Sequence, residues 1–179
     1  DFKLETERRR IDMYNNLKLL QKLLDKIKNT PDECINRAIE TLERKKFNEA
    51  LVNQYPWLQI RNVWTNKKVD DNFEFTWLDD LPEGWRKKFG MKMVKELDKI
   101  LKKANYQDKY QIVQIKEKWG FLHWYDNGVP NSIYNKYNKW LKKYENLSKR
   151  TCIICGKPGK LTNNGWIMPL CSYCKKKGL

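Results

Sequence analysis

Histidine occurs once in the 179 residues, at His123, and that scarcity excludes the paired-histidine metal sites of HNH and HEXXH enzymes. Glycine is thin and scattered, eight residues in all, so neither a phosphate-cradling loop nor a nucleophile elbow can be assembled. No apolar run approaches the length of a membrane span, and the opening Asp1-Phe2-Lys3-Leu4-Glu5 lacks the basic-then-apolar pattern of a secretory leader. A cytoplasmic location is expected. Acid is also in short supply, with 22 Asp and Glu against 37 Lys and Arg, for a formal charge of +15 that raises the question of a polyanionic partner. The deficit is concentrated at the end: Lys136 to Leu179 holds eleven basic residues and one acid, Glu145. Lysine also fills ordinary solvated faces in a chain this rich in Lys and Asn, so charge alone speaks of partners without identifying one.

What the chain does have is two CxxC pairs, Cys152-Ile153-Ile154-Cys155 and Cys171-Ser172-Tyr173-Cys174, separated by fifteen residues. That spacing matches a four-thiolate zinc site, because each pair can turn back and present two sulfurs to one tetrahedral ion. Two disulfides or a redox CxxC are the alternatives, and the remaining cysteine, Cys34, fits a reducing compartment better than a disulfide scaffold. Gly156 suits a knuckle whose backbone takes a positive φ. With Cys152, Cys155, Cys171 and Cys174 all used as ligands, no position is left for water, so the predicted Zn2+ is structural.

The spacing of apolar residues predicts an α+β chain in three parts. Residues 1–54 form a helical hairpin region: Met13, Leu17, Leu20, Leu24 and Ile27 make one stripe, and Cys34, Ile35, Ala38, Ile39 and Leu42 make a second that suits it. Thr30 is the expected N-cap between them, with Pro31 at the first helical position and Glu33 closing a capping box. Residues 55–147 form an α+β core, beginning with a loosely patterned stretch to Thr76 that reads as a short helix and then a hairpin. A helix follows from about Leu78 to Ala104 on Trp85, Phe89, Met93, Leu97, Ile100 and Leu101. An antiparallel hairpin comes next, Tyr110–Lys116 and Phe121–Tyr125, and then a helix on Ile133, Tyr137, Trp140, Leu141, Tyr144 and Leu147. Residues 148–179 are the zinc-ribbon-like module, joined without a flexible linker and so expected to dock on the core.

Three stretches carry a resemblance: Asp79-Asp80-Leu81-Pro82-Glu83-Gly84-Trp85-Arg86, the hairpin from Gln114 to Tyr125, and Thr151-Cys152-Ile153-Ile154-Cys155-Gly156. Over residues 73–174 the chain resembles a family of small proteins seen in phages, prophages and their bacterial hosts, marked by a GW segment, a KEKxGxLRxY hairpin and a CxxCG with a GWxxxxCxxC ending. Gly165-Trp166 and Cys171 match that ending. The resemblance implies a setting, phage or mobile DNA in a bacterial cytoplasm, more than a mechanism. His123 stands where the family pattern has Arg, which argues against a catalytic imidazole.

Three functions remain. The first is a non-enzymatic binder of nucleic acid, or of a nucleic-acid-handling complex, through Lys142, Lys143, Lys149, Arg150, Lys157, Lys160, Lys175, Lys176 and Lys177, with Trp166 and Tyr173 as stacking faces. The second is a protein-binding inhibitor of a host defence system, anti-CRISPR-like or otherwise, using the same charges. The third is a metal-dependent nuclease, with Gln114-Ile115-Lys116 imitating a carboxylate-x-lysine motif and Asp79, Asp80 or Glu83 holding magnesium. Glutamine is a poor ligand beside a carboxylate, and helix capping accounts for those acids more simply. No catalytic residue is assigned.

Overall fold

The computed structural model describes residues 17–23, 25–28, 31–62, 64–69, 72–162 and 165–178. The chain divides into two compact units, 1–44 and 45–179. No described helix is long and apolar enough to cross a membrane.

In the first unit residues 17–23 and 25–28 are helical, and helix α1 (Asp32–Gln54) begins after Pro31, whose carbonyl accepts from the amides of Cys34 at 2.8 Å and Ile35 at 3.3 Å. Asp32 and Glu33 occupy its first turn, where the helix dipole favours them. The expected cap Thr30, and Met13 and Leu24 of the first stripe, lie outside the described residues. Leu17, Leu20, Ile27, Ile39 and Leu42 are 48–60% exposed. The mutual burial expected of a helical hairpin is therefore not seen among the described residues.

The second unit is built on aromatic rings. Helix α1 runs twelve residues past Leu42 and buries Leu51 and Val52, while Asn48 donates from its amide to the carbonyls of Phe73 and Glu74 at 3.0 and 3.2 Å. A 3₁₀ turn, Pro56–Leu58, follows. The hairpin expected before Thr76 reduces to one bridge, Arg61 with Lys68, and Asn62 Oδ1 accepts from the amides of Trp64 and Thr65 to set its turn.

The single helix expected over 78–104 is instead four pieces. Trp77–Asp80 is a 3₁₀ turn closed by a capping box between Thr76 and Asp79; α2 (Glu83–Trp85) then widens through a π-helical turn, Arg86–Gly90, into α3 (Met91–Lys102). Pro82 is the physical reason for the break, since it cannot donate to a preceding turn and pushes Leu81 into extended backbone, observed at φ −73 and ψ 133.

Strands β1 (Ile112–Lys118) and β2 (Phe121–Asp126) pair antiparallel, with Ile115 opposite Trp124 and a register irregularity between Ile112 and Gln114. Helix α4 (Asn131–Ser148) covers one face. Trp124 meets Trp140 edge-on at 5.3 Å, donates to the Tyr110 hydroxyl at 2.8 Å, and Tyr110 and Tyr137 both donate to Asp126. Burial pushes both tyrosines' pKa up, with the Asp126 carboxylate adding to it, so they stay neutral donors. Strands β3 (Lys160–Thr162) and β4 (Met168–Leu170) form a second small antiparallel pair, and helix α5 (Ser172–Lys176) ends the described chain.

Candidate metal centre and basic face

The four C-terminal cysteines converge. Their sulfurs all lie within 4.8 Å of one another, and this is the only group of three or more metal-ligating side chains among the described residues. Cys155 and Cys171 sulfurs are 3.6 Å apart, far beyond a disulfide bond and close to the roughly 3.8 Å that separates two thiolates on one tetrahedral ion with bonds of about 2.3 Å. None of the five cysteines forms a disulfide. Each CxxC is folded by local hydrogen bonds. In the first, the Gly156 amide donates to the Cys152 carbonyl at 3.0 Å and Gly156 takes φ +75, as its place after the pair predicts. In the second, Cys171 precedes α5 and its sulfur accepts from the Cys174 amide at 3.4 Å.

These sulfurs are in electrostatic conflict without a cation. Burial pushes the Cys152 thiol up, yet the amides of Cys155, Cys171 and Ile154 donate to its sulfur and leave it lowered to about 6. Cys174 is raised to about 12 by desolvation and by the neighbouring sulfurs. Four clustered thiolates cannot all ionise in a buried pocket unless a positive ion neutralises them, so the donor set fits a metal ion.

The knuckle is seated on the core at the Gly84-Trp85 segment. The Gly84 amide donates to the Ile153 carbonyl at 2.9 Å, and the buried Trp85 indole donates to the Thr151 carbonyl at 2.9 Å. A Cβ on Gly84 would collide with the Cys152 carbonyl oxygen and stand 2.7 Å from both the Gly156 nitrogen and the Ile153 oxygen. The Gly-Trp segment and the CxxCG segment are two halves of one joint.

The predicted basic residues divide. Lys143 is bonded to Glu96 at 2.7 and 2.8 Å, so its charge is already met; the pair holds Glu96 low against the opposing effect of its burial. Lys142 is exposed on α4. Lys149, Arg150, Lys157, Lys160, Lys175, Lys176 and Lys177 make no ion pair among the described residues. Lys157 and Lys177 place their amines 6.0 and 4.9 Å from the ring centre of the exposed Tyr173. Trp166 is 75% exposed and lines a cleft with Trp119, Lys118, Glu117, Gly165 and Ile167.

Two of the three acids of the nuclease reading, Asp79 and Glu83, are occupied in the fold. Asp79 accepts from the Thr76 amide at 2.7 Å and from Arg86 at 2.8 Å, and Glu83 pairs with Lys87. Lys116 donates to Gln114 at 2.6 Å on the hairpin's exposed face. His123 places Nε2 3.1 Å from the Lys118 carbonyl and stacks on Phe121. The sequence motifs give no role to Trp119, the exposed tip of that hairpin, or to Gly84 as a seat. The period-two alternation of Gln114, Lys116 and Lys118 opposite Phe121, His123 and Tyr125 was the available signal for the exposed face. Compared with protein-family models, curated proteins and solved structures, the chain matches none.

Proposed function

We propose that this is a non-enzymatic, zinc-containing binding protein of the phage and prophage type, acting in a bacterial cytoplasm on nucleic acid or on a complex that handles it. The zinc holds a ribbon-like knuckle, with β3 and β4 as its short strands, and the knuckle presents the basic face. One observation carries this reading. Some basic side chains elsewhere find carboxylates, as in Lys45 with Glu74, Arg86 with Asp79, Lys102 with Asp98 and Lys143 with Glu96. No acid follows Glu145 in the sequence, and Lys149, Arg150, Lys157, Lys160, Lys175, Lys176 and Lys177 make no ion pair among the described residues. A charge excess left unpaired beside the exposed rings of Tyr173 and Trp166 is suited to phosphates and bases.

Binding to labelled DNA and RNA across a salt series tests it. If about six of these side chains meet phosphates, affinity falls roughly a thousandfold between about 50 and 200 mM salt. Weak binding that does not respond to salt would count against the reading. A second reading, a protein-binding inhibitor of a host defence system, is favoured by the exposed leucines and isoleucines of residues 17–42, which offer an apolar contact that nucleic acid does not use. A stoichiometric protein recovered with the chain from its host supports that reading; recovery of nucleic acid alone removes it.

A further inference from the structure

The β1–β2 hairpin has one face buried under α4 and another turned outward. The outward face holds three cross-strand pairs: Lys118 with Phe121, Lys116 with His123, and Gln114 with Tyr125. The three rings form a continuous row along β2. Phe121 and His123 have centroids 4.3 Å apart, and His123 and Tyr125 lie 6.3 Å apart and within 18° of parallel. Amines surround the row, with Lys149 Nζ 4.4 Å from the Phe121 ring centre and Lys116 Nζ 5.1 Å from that of Tyr125. None of the six strand residues is acidic.

The tip of the hairpin extends this surface. Trp119 and Gly120 form a two-residue turn with φ +58 and +79, a geometry that asparagine or glycine ordinarily supplies at the first position. A tryptophan held in left-handed backbone is strained, and at 63% exposure little packing repays it. Strain kept at an exposed aromatic points to a use for the ring. At φ +79 Gly120 suits glycine, and the side chains of Leu161 and Ile167 lie beside it. The hairpin tip thus lies against the metal module.

We propose that this outward face, Gln114, Lys116, Lys118, Phe121, His123, Tyr125 and the tip Trp119, is a platform for single-stranded nucleic acid. The inference rests on the nucleic-acid reading above and adds a second surface and a strand state to it. Ring faces are useful to bases that have left their stack; a duplex keeps its base faces covered and offers only edges and phosphates. Residues two apart on a strand repeat every roughly 6.6 Å, comparable to the spacing of successive nucleotides in an extended strand. The lysines beside the rings meet the phosphates, their contacts with these rings being weak enough to give way. A protein partner fits less well, since lysine is depleted from the centres of protein interfaces.

The test uses the full chain with its metal, oligo-dT and oligo-U of about 12 nucleotides, and a duplex of the same length. The double variant His123→Ala, Tyr125→Ala is expected to lose roughly tenfold or more in affinity for the single strands, with duplex binding unchanged. His123→Phe with Tyr125→Phe keeps the rings and is expected to keep the affinity. Photocross-linking of bromouridine-substituted oligonucleotide to the unaltered protein should place adducts on Phe121, His123, Tyr125 or Trp119, whatever the folding of the alanine variant. Alanine variants that bind single strands normally, or adducts confined to Tyr173 and Trp166, overturn the platform while leaving the basic-face reading intact. Equal loss on duplex and single strand also overturns it, and binding to neither nucleic acid overturns both.

Discussion

At Gly84 two preferences oppose each other. It sits in a helical turn, where alanine is favoured over glycine by about 1 kcal/mol. A Cβ would however meet backbone atoms of Cys152, Ile153 and Gly156, and overpacking against atoms that cannot swing aside costs up to about 3 kcal/mol or more. The collision wins. Gly84→Ala is expected to lower stability by at least about 1 kcal/mol, read as a shift in the denaturation midpoint; an unchanged midpoint would mean the knuckle is not seated there. The two glycines of this joint differ in how far the sequence exposes them. Gly156 declares itself by following a CxxC, whereas Gly84 is demanded by a partner at the other end of the chain.

The elements show the same division between near and far. The hairpin could be read from its β-rich runs and its turn from Glu117-Lys118-Trp119-Gly120; the structure extends β1 through Lys118 and narrows the turn to Trp119-Gly120, a left-handed place that tryptophan does not favour. The helix expected over 78–104 was right in its buried positions, Trp85, Phe89, Met93, Leu97 and Leu101, and wrong in continuity at Pro82 and the π-helical turn. The four-cysteine module is the element that a bound ion would order most. With the metal taken as zinc, its binding contributes on the order of 10 kcal/mol to folding the segment that holds it. Stripping the ion by chelation, or replacing Cys155→Ser, is expected to abolish amide-exchange protection of Cys152, Ile153 and Gly156, whose amides now bond within the knuckle or to Pro169. Protection that survives metal removal would show that the sulfurs cluster for another reason. The small β3–β4 pair, three residues a strand, has little else to hold it.

Across the molecule, the buried cluster begins at Leu51 and is drawn from every element through Tyr144. Among the described residues of 17–42 none is buried. The chain shortened to residues 45–179 is therefore expected to melt cooperatively, within a few degrees of the full protein, and to keep its metal. A collapse of cooperativity on removal of 1–44 would show that the first unit supports the second.

Residue order was enough to name the four cysteines that cluster, the α+β content and the charge excess, because each is a matter of spacing or composition along a short stretch. It was not enough to tell which lysines are paired, that Gly84 and Trp85 hold the knuckle, or that three rings line up beside lysines on an open face. Those depend on which distant segments meet, and contacts between distant segments arise from the packing of the whole core and not from any local preference.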